Sequence, residues 1–340
     1  MLLLATVLAI RLSSLGAYPL MDTTESRYAD VARQMAESGD WLTPRIDDGR
    51  PFWGKPPLSI WATAASFRWI GFQEWAARLP HVVFSGVTVV LTFVLARRFG
   101  DARLAWKSIL VLSSTSLFYL MSGAVMTDAS LAASTTAALA GFALAMHAAG
   151  RREQIVWGYV FFAGIGMAML AKGPVGVVLC VFPVVAWAVL QRKLAACFTI
   201  LPWKSGAVLA LAIALPWYLA AEQATPGFLW YFIVGEHIQR FLVSGWEGDL
   251  YGKAHDEVPG TIWMFAAAAT LPWSFLAPWL APALGRSWRT SSTDDRSLVT
   301  FLSCWAVAPL LLFTPARNIL PTYVAPALPA LAILCALSLD

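Results

Sequence analysis

Apolar runs of about 20 residues recur along almost the whole chain, and they constrain its fold more than any other feature. One such run crosses the hydrocarbon core of a bilayer as a single helix. The chain is 59% hydrophobic and only 13% charged, and a β-barrel would instead need short alternating segments. The predicted fold class is therefore an all-α polytopic membrane protein, with residues 1–340 forming a single transmembrane domain. About ten transmembrane helices are predicted, at about 1–20, 79–97, 104–122, 129–149, 155–172, 173–191, 205–221, 259–284, 298–315 and 319–338.

Basic residues cluster in alternate short connections between these runs, as at Arg97–Arg98, Arg151–Arg152 and Arg192–Lys193. The positive-inside rule places such connections in the cytoplasm. The first loop, 22–78, and the later segment, 222–258, then lie on the outer side together with three shorter turns. Most of the carboxylates lie there too, so the outer face is the predicted working face.

The first outer loop, 22–78, is long, polar and rich in aromatic residues. Its sequence predicts two amphipathic helices that lie at the membrane surface. The first runs from about Glu25 to Glu37 and places on one face Tyr28, Val31 and Met35. The second follows two prolines, and its apolar face is predicted to meet the lipid boundary through Ile60, Trp61, Ala64, Phe67 and Trp69.

Lys55 stands directly before Pro56 and Pro57 in this loop. The rigid turn would present its ammonium group to an anion as a fixed point charge. The alternative role for the whole loop is that of a structural cap on the helix bundle.

The second outer segment, 222–258, carries Glu236, His237, Arg240 and His255. A histidine near a membrane more often makes a structural hydrogen bond than serves as a ligand. A Glu-His pair followed by an arginine can nevertheless hold a phosphate through charge-assisted hydrogen bonds.

Three shorter outer turns each carry a charged residue at a helix end: Asp128, Lys172 and Arg317. Any one alone could be a snorkelling or capping residue. Together they predict several cations and carboxylates over the mouth of one bundle. The sequence has no Walker loop and no GxGxxG motif after a strand, so the predicted ligand is a lipid-linked phosphate rather than a nucleotide.

The composition does not support disulfides, a cysteine-bound zinc or a nucleic-acid partner. The four cysteines show no CxxC or Cys/His spacing, so neither a disulfide framework nor a zinc knuckle is predicted. The net charge of +4 is too small and too dispersed to indicate a nucleic-acid partner.

Several motifs, taken in order, give the chain a resemblance to a known family. They are TESRYADVARQMAESGDWLTP, FWGKPPLSIW, AARLP, MTDAS, LAKGP, VGEHIQRF, LPW and FTPARNILPTYVAP. This order resembles bacterial aminoarabinose transferases and protein O-mannosyltransferases, which are polyprenyl-phosphate-sugar-dependent membrane glycosyltransferases of the GT-C fold. EHIQRF and the LPTY segment are most similar to the aminoarabinose branch.

The resemblance implies roles for particular side chains. Donor phosphate binding falls to five cations: Arg27, Lys55, Lys172, Arg240 and Arg317. Two carboxylates, Glu25 and Asp128, would orient the acceptor or stabilise positive charge on the sugar, with Asp22 as the next candidate. Donor or acceptor contacts fall to Tyr28, Glu236, His237, His255 and Tyr323. No cofactor is implied, since there is no nucleotide diphosphate that would require a metal.

Three departures from the family pattern affect these expectations. Thr24 stands where the family commonly has aspartate, and Gly54 where the aminoarabinose branch usually has glutamate. A metal site that would use that glutamate with His255 is therefore not predicted. The chain also stops at Asp340, so the usual C-terminal extension is expected to be absent.

The predicted function is sugar transfer, with inversion, from a polyprenyl-phosphate donor at the periplasmic face of the bacterial inner membrane. Lipid A or another envelope glycolipid is the favoured acceptor, because a lipid phosphate is already anionic and needs less activation by a base than a hydroxyl. The alternatives are transfer to protein Ser or Thr, a transporter or flippase for a lipid-linked substrate, and a non-catalytic relative.

Overall fold

The computed structural model describes residues 2–21, 23–47, 49–243, 246–251, 255–290 and 293–339. In this part of the chain, two very short strands, β1 (Arg45–Ile46) and β2 (Arg50–Pro51), pair antiparallel within the first outer loop. The other regular elements are helical. The α-helices are α1 (Leu2–Ser14), α2 (Thr23–Ser38), α3 (Leu58–Ile70), α4 (Glu74–Phe99), α5 (Ala102–Ser114), α6 (Ser116–Met121), α7 (Thr127–Met146), α8 (Arg151–Lys172), α9 (Pro174–Leu190), α10 (Leu194–Ile200), α11 (Trp203–Ala224), α12 (Arg240–Leu242), α13 (Thr261–Ala269), α14 (Ala277–Thr290), α15 (Thr293–Phe313) and α16 (Leu328–Ser338). A π-helix covers Trp230–Gln239, and 3-10 turns cover Trp273–Leu276 and Pro321–Ala327.

Six helices of the described residues are long and apolar enough to cross a membrane. They are Glu74–Phe99, Thr127–Met146, Arg151–Lys172, Trp203–Ala224, Arg296–Phe313 and Pro321–Ser338. A bent pair, Thr261–Ala269 with Trp273–Gly285, makes a seventh if its two arms, 103° apart, form one span. The polytopic all-α class is thus confirmed, whereas the count of about ten spans remains a prediction.

Helix α7 lies at the centre of the bundle, and 89% of its most apolar 18-residue stretch is buried. Its alanines, serines and threonines are small, which lets neighbouring helices approach closely. Against α8 the approach is so close that a Cβ at Gly164 would lie 2.4 Å from the backbone nitrogen of Ala138. This packing fixes the first turn of α7, which carries Asp128.

Helices α2 and α3 of the first loop pack on each other around a second, smaller core. Val31 and Met35, which were predicted to share one face of a helix at the membrane surface, are both buried in this core. The prediction that the apolar face of α3 meets lipid is wrong for three residues: Ile60, Ala64 and Phe67 are buried in this second core. Only the far end of that helix behaves as expected, since Trp69 is 84% exposed.

Candidate active site

A polar cavity of about 260 Å³, here called the outer chamber, lies where the first loop meets one end of the helix bundle. It is lined by side chains from five regions: α2, the Lys-Pro-Pro turn, the adjoining ends of α7 and α8, the segment 236–255, and the turn before α16. Its described lining residues are Thr24, Arg27, Tyr28, Phe52, Gly54, Lys55, Thr127, Asp128, Lys172, Glu236, Arg240, Asp249, Tyr251, His255, Leu320 and Tyr323.

A narrower cavity of about 90 Å³, here called the inner groove, adjoins the outer chamber. The two share Lys55, Lys172, Glu236, Arg240 and Tyr323. Beyond these shared residues the groove is mainly apolar, with walls formed by Leu131, Val175, Leu179, Phe232, Phe241 and Phe313. A ligand with a charged head and an apolar tail matches this combination.

Glu236 joins two of the predicted phosphate-binding cations. Its carboxylate lies 2.8 Å from the guanidinium of Arg240 and 3.6 Å from the ammonium of Lys55. The hydroxyl of Tyr231 donates a third contact at 3.0 Å. Burial raises the pKa of Glu236, but the charges of Lys55 and Arg240 outweigh burial and hold that pKa below its ordinary value. Glu236 is therefore ionised at neutral pH and holds both cations at the chamber.

Lys172 and Asp128 form an ion pair at the junction of the chamber and the groove, with side chains only 11% and 10% exposed. Asp128 lies in the first turn of α7 and Lys172 in the last turn of α8, and each charge is favourable at that helix end. The ammonium of Lys172 also lies 4.7 Å from the ring centroid of Tyr323, within the range of a cation–π interaction.

His237 connects the π-helix to the turn after α8. Its Nδ1 lies 2.7 Å from the carbonyl oxygen of Phe232, and its Nε2 lies 3.0 Å from that of Lys172. Burial lowers the pKa of His237 below its ordinary value, so the ring is neutral at pH 7 and donates to one of the two carbonyls. This histidine lines the inner groove but acts mainly to position the backbone.

Arg27 and His255 lie at the outer part of the chamber. Arg27 is half-buried, and among the described residues its guanidinium makes no ion pair. His255 is exposed, and its backbone N–H donates to the Oδ1 of Asn318 at 3.2 Å.

Two predicted residues do not line either cavity. The Glu25 carboxylate is buried and accepts two hydrogen bonds from Arg78, at 2.8 and 2.9 Å, and one from the N–H of Val125 at 3.1 Å. These contacts give Glu25 a structural role outside both cavities, and its catalytic role stays a prediction. Arg317 is 50% exposed and pairs with Asp256 at 3.3 Å. The prediction for Asp22 lies outside the described residues.

Asp249 and Tyr251 were missed by the sequence interpretation, although both line the chamber. Asp249 lies 3.2 Å from the guanidinium of Arg240, and Tyr251 packs edge-on against Phe52 with ring centroids 4.7 Å apart. The signal available was their position in the aromatic outer segment that also carries Glu236 and Arg240.

Gly54 lies close to two aromatic rings of the chamber. A Cβ there would lie 3.1 Å from the ring of Phe52 and 3.3 Å from that of Tyr251. Both rings would have to shift slightly to accept any side chain at this position. Among the described residues, no group of three or more His, Cys, Asp or Glu side chains is placed to hold a metal ion.

Comparisons with known proteins agree with this geometry. Residues 1–232 match the family model described as dolichyl-phosphate-mannose-protein mannosyltransferase. A curated relative from Erwinia tasmaniensis, named undecaprenyl phosphate-alpha-4-amino-4-deoxy-L-arabinose arabinosyl transferase, is 31% identical over 321 residues, which are 93% of this chain and 55% of the relative. A protein of the same name from Pseudomonas savastanoi is 31% identical over 98% of this chain and 60% of its own length.

A solved structure extends the similarity to three dimensions. ArnT from Cupriavidus metallidurans bound to undecaprenyl phosphate superposes with a TM-score of 0.89 and 27% identity, over 100% of this chain and 59% of that one. The chain spans about half the length of the curated relatives that it matches. Because the family model covers more than half of the sequence, and a polytopic helical fold with the expected motifs accompanies it, the chain belongs to the dolichyl-phosphate-mannose-protein mannosyltransferase family.

Proposed function

We propose that this protein is a glycosyltransferase that takes a sugar from a polyprenyl-phosphate donor and transfers it to an acceptor at the periplasmic face of the bacterial inner membrane. The observation that carries the proposal is the inner groove, whose apolar walls end at Lys55, Lys172 and Arg240. The prenyl chain lies in the groove, the phosphate meets the cations, and the sugar extends into the outer chamber.

The cations suit the chemistry of the leaving group. As the bond between the anomeric carbon and the phosphate oxygen breaks, the electron pair stays on the phosphate and increases its negative charge. Fixed cations in a partly buried site stabilise that charge without further reorganisation. Lys55 and Arg240 are held in advance by Glu236, and Lys172 by Asp128.

The class of acceptor is inferred from the contacts that the carboxylates of the outer chamber make. Each carboxylate of the described chamber lining, Asp128, Glu236 or Asp249, is already in an ion pair with a cation of the protein, so a hydroxyl acceptor would compete with that cation for it. A hydroxyl acceptor needs a base, whereas a phosphate acceptor is already anionic. A lipid A phosphate or another envelope glycolipid is therefore favoured over a protein Ser or Thr.

The side of the membrane that the outer chamber faces is inferred from the basic residues at the opposite end of the bundle. Arg98, in the last turn of α4, donates a hydrogen bond to the carbonyl of His147, the residue directly after α7. Two of the connections with basic residues therefore meet at one end, and Asp128 lies at the other end of α7. The positive-inside rule assigns the basic end to the cytoplasm, which supports a periplasmic chamber.

Reconstitution tests the proposal directly. The purified full chain in liposomes is given an undecaprenyl-phosphate sugar together with lipid A or a Ser/Thr peptide, and products are identified by mass spectrometry. We expect glycosylated lipid A and no glycopeptide. Movement of the donor across the bilayer without any product would instead identify a flippase, and a glycopeptide alone would refute the lipid acceptor.

Replacing Asp128 with asparagine should lower kcat by about 10²-fold, the scale of losing one preorganised group that stabilises developing charge, because Lys172 would lose the carboxylate that holds it at the leaving phosphate. KM for the donor should change much less, since Lys55 and Arg240 remain in place. Steady-state kinetics on the reconstituted protein measures both. Asp47→Asn is the matched control, because Asp47 makes an exposed ion pair with Arg50 outside the chamber. Unchanged kcat in the Asp128 variant would remove this residue from the site.

A further inference from the structure

The outer chamber has an excess of positive charge. Its described lining contains four cations, Arg27, Lys55, Lys172 and Arg240, and three carboxylates. Thr24 and Gly54, which also line it, carry no charge. Because the chamber is partly enclosed, this imbalance acts on a bound ligand more strongly than the same charges would in open water.

Each of the three carboxylates already contacts a cation of the protein. Asp128 contacts Lys172, and Glu236 contacts Lys55, Arg240 and the hydroxyl of Tyr231. Asp249 divides its two oxygens between the guanidinium of Arg240 and the backbone N–H of Tyr251. A positively charged group that enters the chamber would thus compete with a cation of the protein for each of these carboxylates.

Arg27 is the remaining cation of this lining, and it makes no ion pair with any described residue. Its helix, α2, is held in place by the buried contact between Glu25 and Arg78, so the guanidinium is presented from a fixed backbone. Five N–H donors with no carboxylate partner in the described part of the chain favour a ligand that offers oxygen atoms.

The chamber also has an aromatic wall. Phe52 lies between Tyr251 and Tyr28, with ring centroids 4.7 and 6.1 Å away, respectively. Such a surface can pack against the C–H face of a sugar ring.

From this charge distribution we propose that the donor sugar carries no ammonium group: it is a neutral sugar or a uronic acid, and Arg27 donates hydrogen bonds to its oxygen atoms. The inference rests on the proposed function, and it separates this chain from the relatives named for transfer of 4-amino-4-deoxy-L-arabinose. An ammonium on the sugar would meet Arg27, and every carboxylate of the described lining already contacts a cation of the protein, which is discrimination by repulsion.

The test uses donors that share one undecaprenyl phosphate and differ only in the sugar: a 4-aminopentose, the corresponding neutral pentose and a uronic acid. We expect kcat/KM for the better of the two non-amino donors to exceed that for the aminopentose by about tenfold or more. Arg27→Glu changes the chamber by two charges and should shift this ratio towards the amino donor by at least about tenfold. Arg27→Gln, which changes one charge, should shift it in the same direction by less.

Arg68→Glu is the control, since Arg68 is exposed on α3 and lines neither cavity; its ratio should match that of the wild type. Equal or better use of the amino donor by the wild type overturns the inference and leaves glycosyl transfer intact. If no donor yields product, the proposed function fails, and equilibrium binding of the three donors decides the sugar preference separately. Equal or tighter binding of the amino donor, or binding of none of the three, overturns the inference in that case as well.

Discussion

Replacing Lys55 with alanine should lower sugar transfer by about 10²–10³-fold, the usual cost of removing one preorganised group that stabilises developing negative charge. Lys55 lies at the boundary of the inner groove and the outer chamber, 3.6 Å from Glu236. Its side chain remains 22% exposed, so it is accessible to a ligand. Its loss leaves Glu236 paired with Arg240, and the fold should therefore persist.

Turnover of the reconstituted Lys55→Ala protein with an undecaprenyl-phosphate sugar measures this effect, and gel filtration in detergent reports whether the protein is folded. Lys204→Ala is the matched control, since Lys204 is exposed at the start of α11 and lines neither cavity. Turnover of the Lys55 variant within about twofold of wild type would place the leaving phosphate elsewhere.

Replacing Arg78 with alanine should destabilise the protein by about 3–5 kcal/mol, because it leaves the buried Glu25 carboxylate without a cation. Arg78 is fully buried and also donates hydrogen bonds to the carbonyls of Leu15, Tyr18 and Pro19, at 2.6, 2.9 and 3.0 Å. The loss should appear as a lower midpoint of thermal unfolding in detergent.

Glu25→Gln is the informative comparison for this pair. We expect a smaller loss of stability and near-normal kcat in the folded fraction, because Glu25 lies outside both cavities. A double variant, Glu25→Gln with Arg78→Met, should lose less stability than the sum of the two single changes, since the two residues interact. A large fall in kcat for Glu25→Gln with unchanged stability would support the predicted catalytic role of Glu25.

The sequence predicted those features that depend on local pattern. The 3.6-residue spacing of Val31 and Met35 indicated the amphipathic helix α2, which covers Thr23–Ser38. Charge alternation between connections placed Lys55, Asp128 and Lys172 on one side, and the structure brings all three to the same chamber.

Features that depend on tertiary partners could not be read in the same way. Glu25 and Arg78 lie 53 residues apart, and neither their residue types nor their spacing indicates that the two side chains form a buried ion pair. For the same reason the sequence did not show that one face of α3 packs inward. Ile60 and Phe67 are apolar whether they meet lipid or another helix. Asp249 stands in the same outer segment as Arg240, but its contact with that residue is visible only in the structure.

A structure of the protein with undecaprenyl phosphate, determined by electron microscopy in a lipid nanodisc, tests the central claim most directly. The phosphate oxygens should lie within about 3 Å of the Lys55 ammonium and the Arg240 guanidinium, with the prenyl chain between Leu131, Val175 and Leu179. A phosphate bound outside the chamber, or a prenyl chain that leaves the inner groove empty, would contradict it.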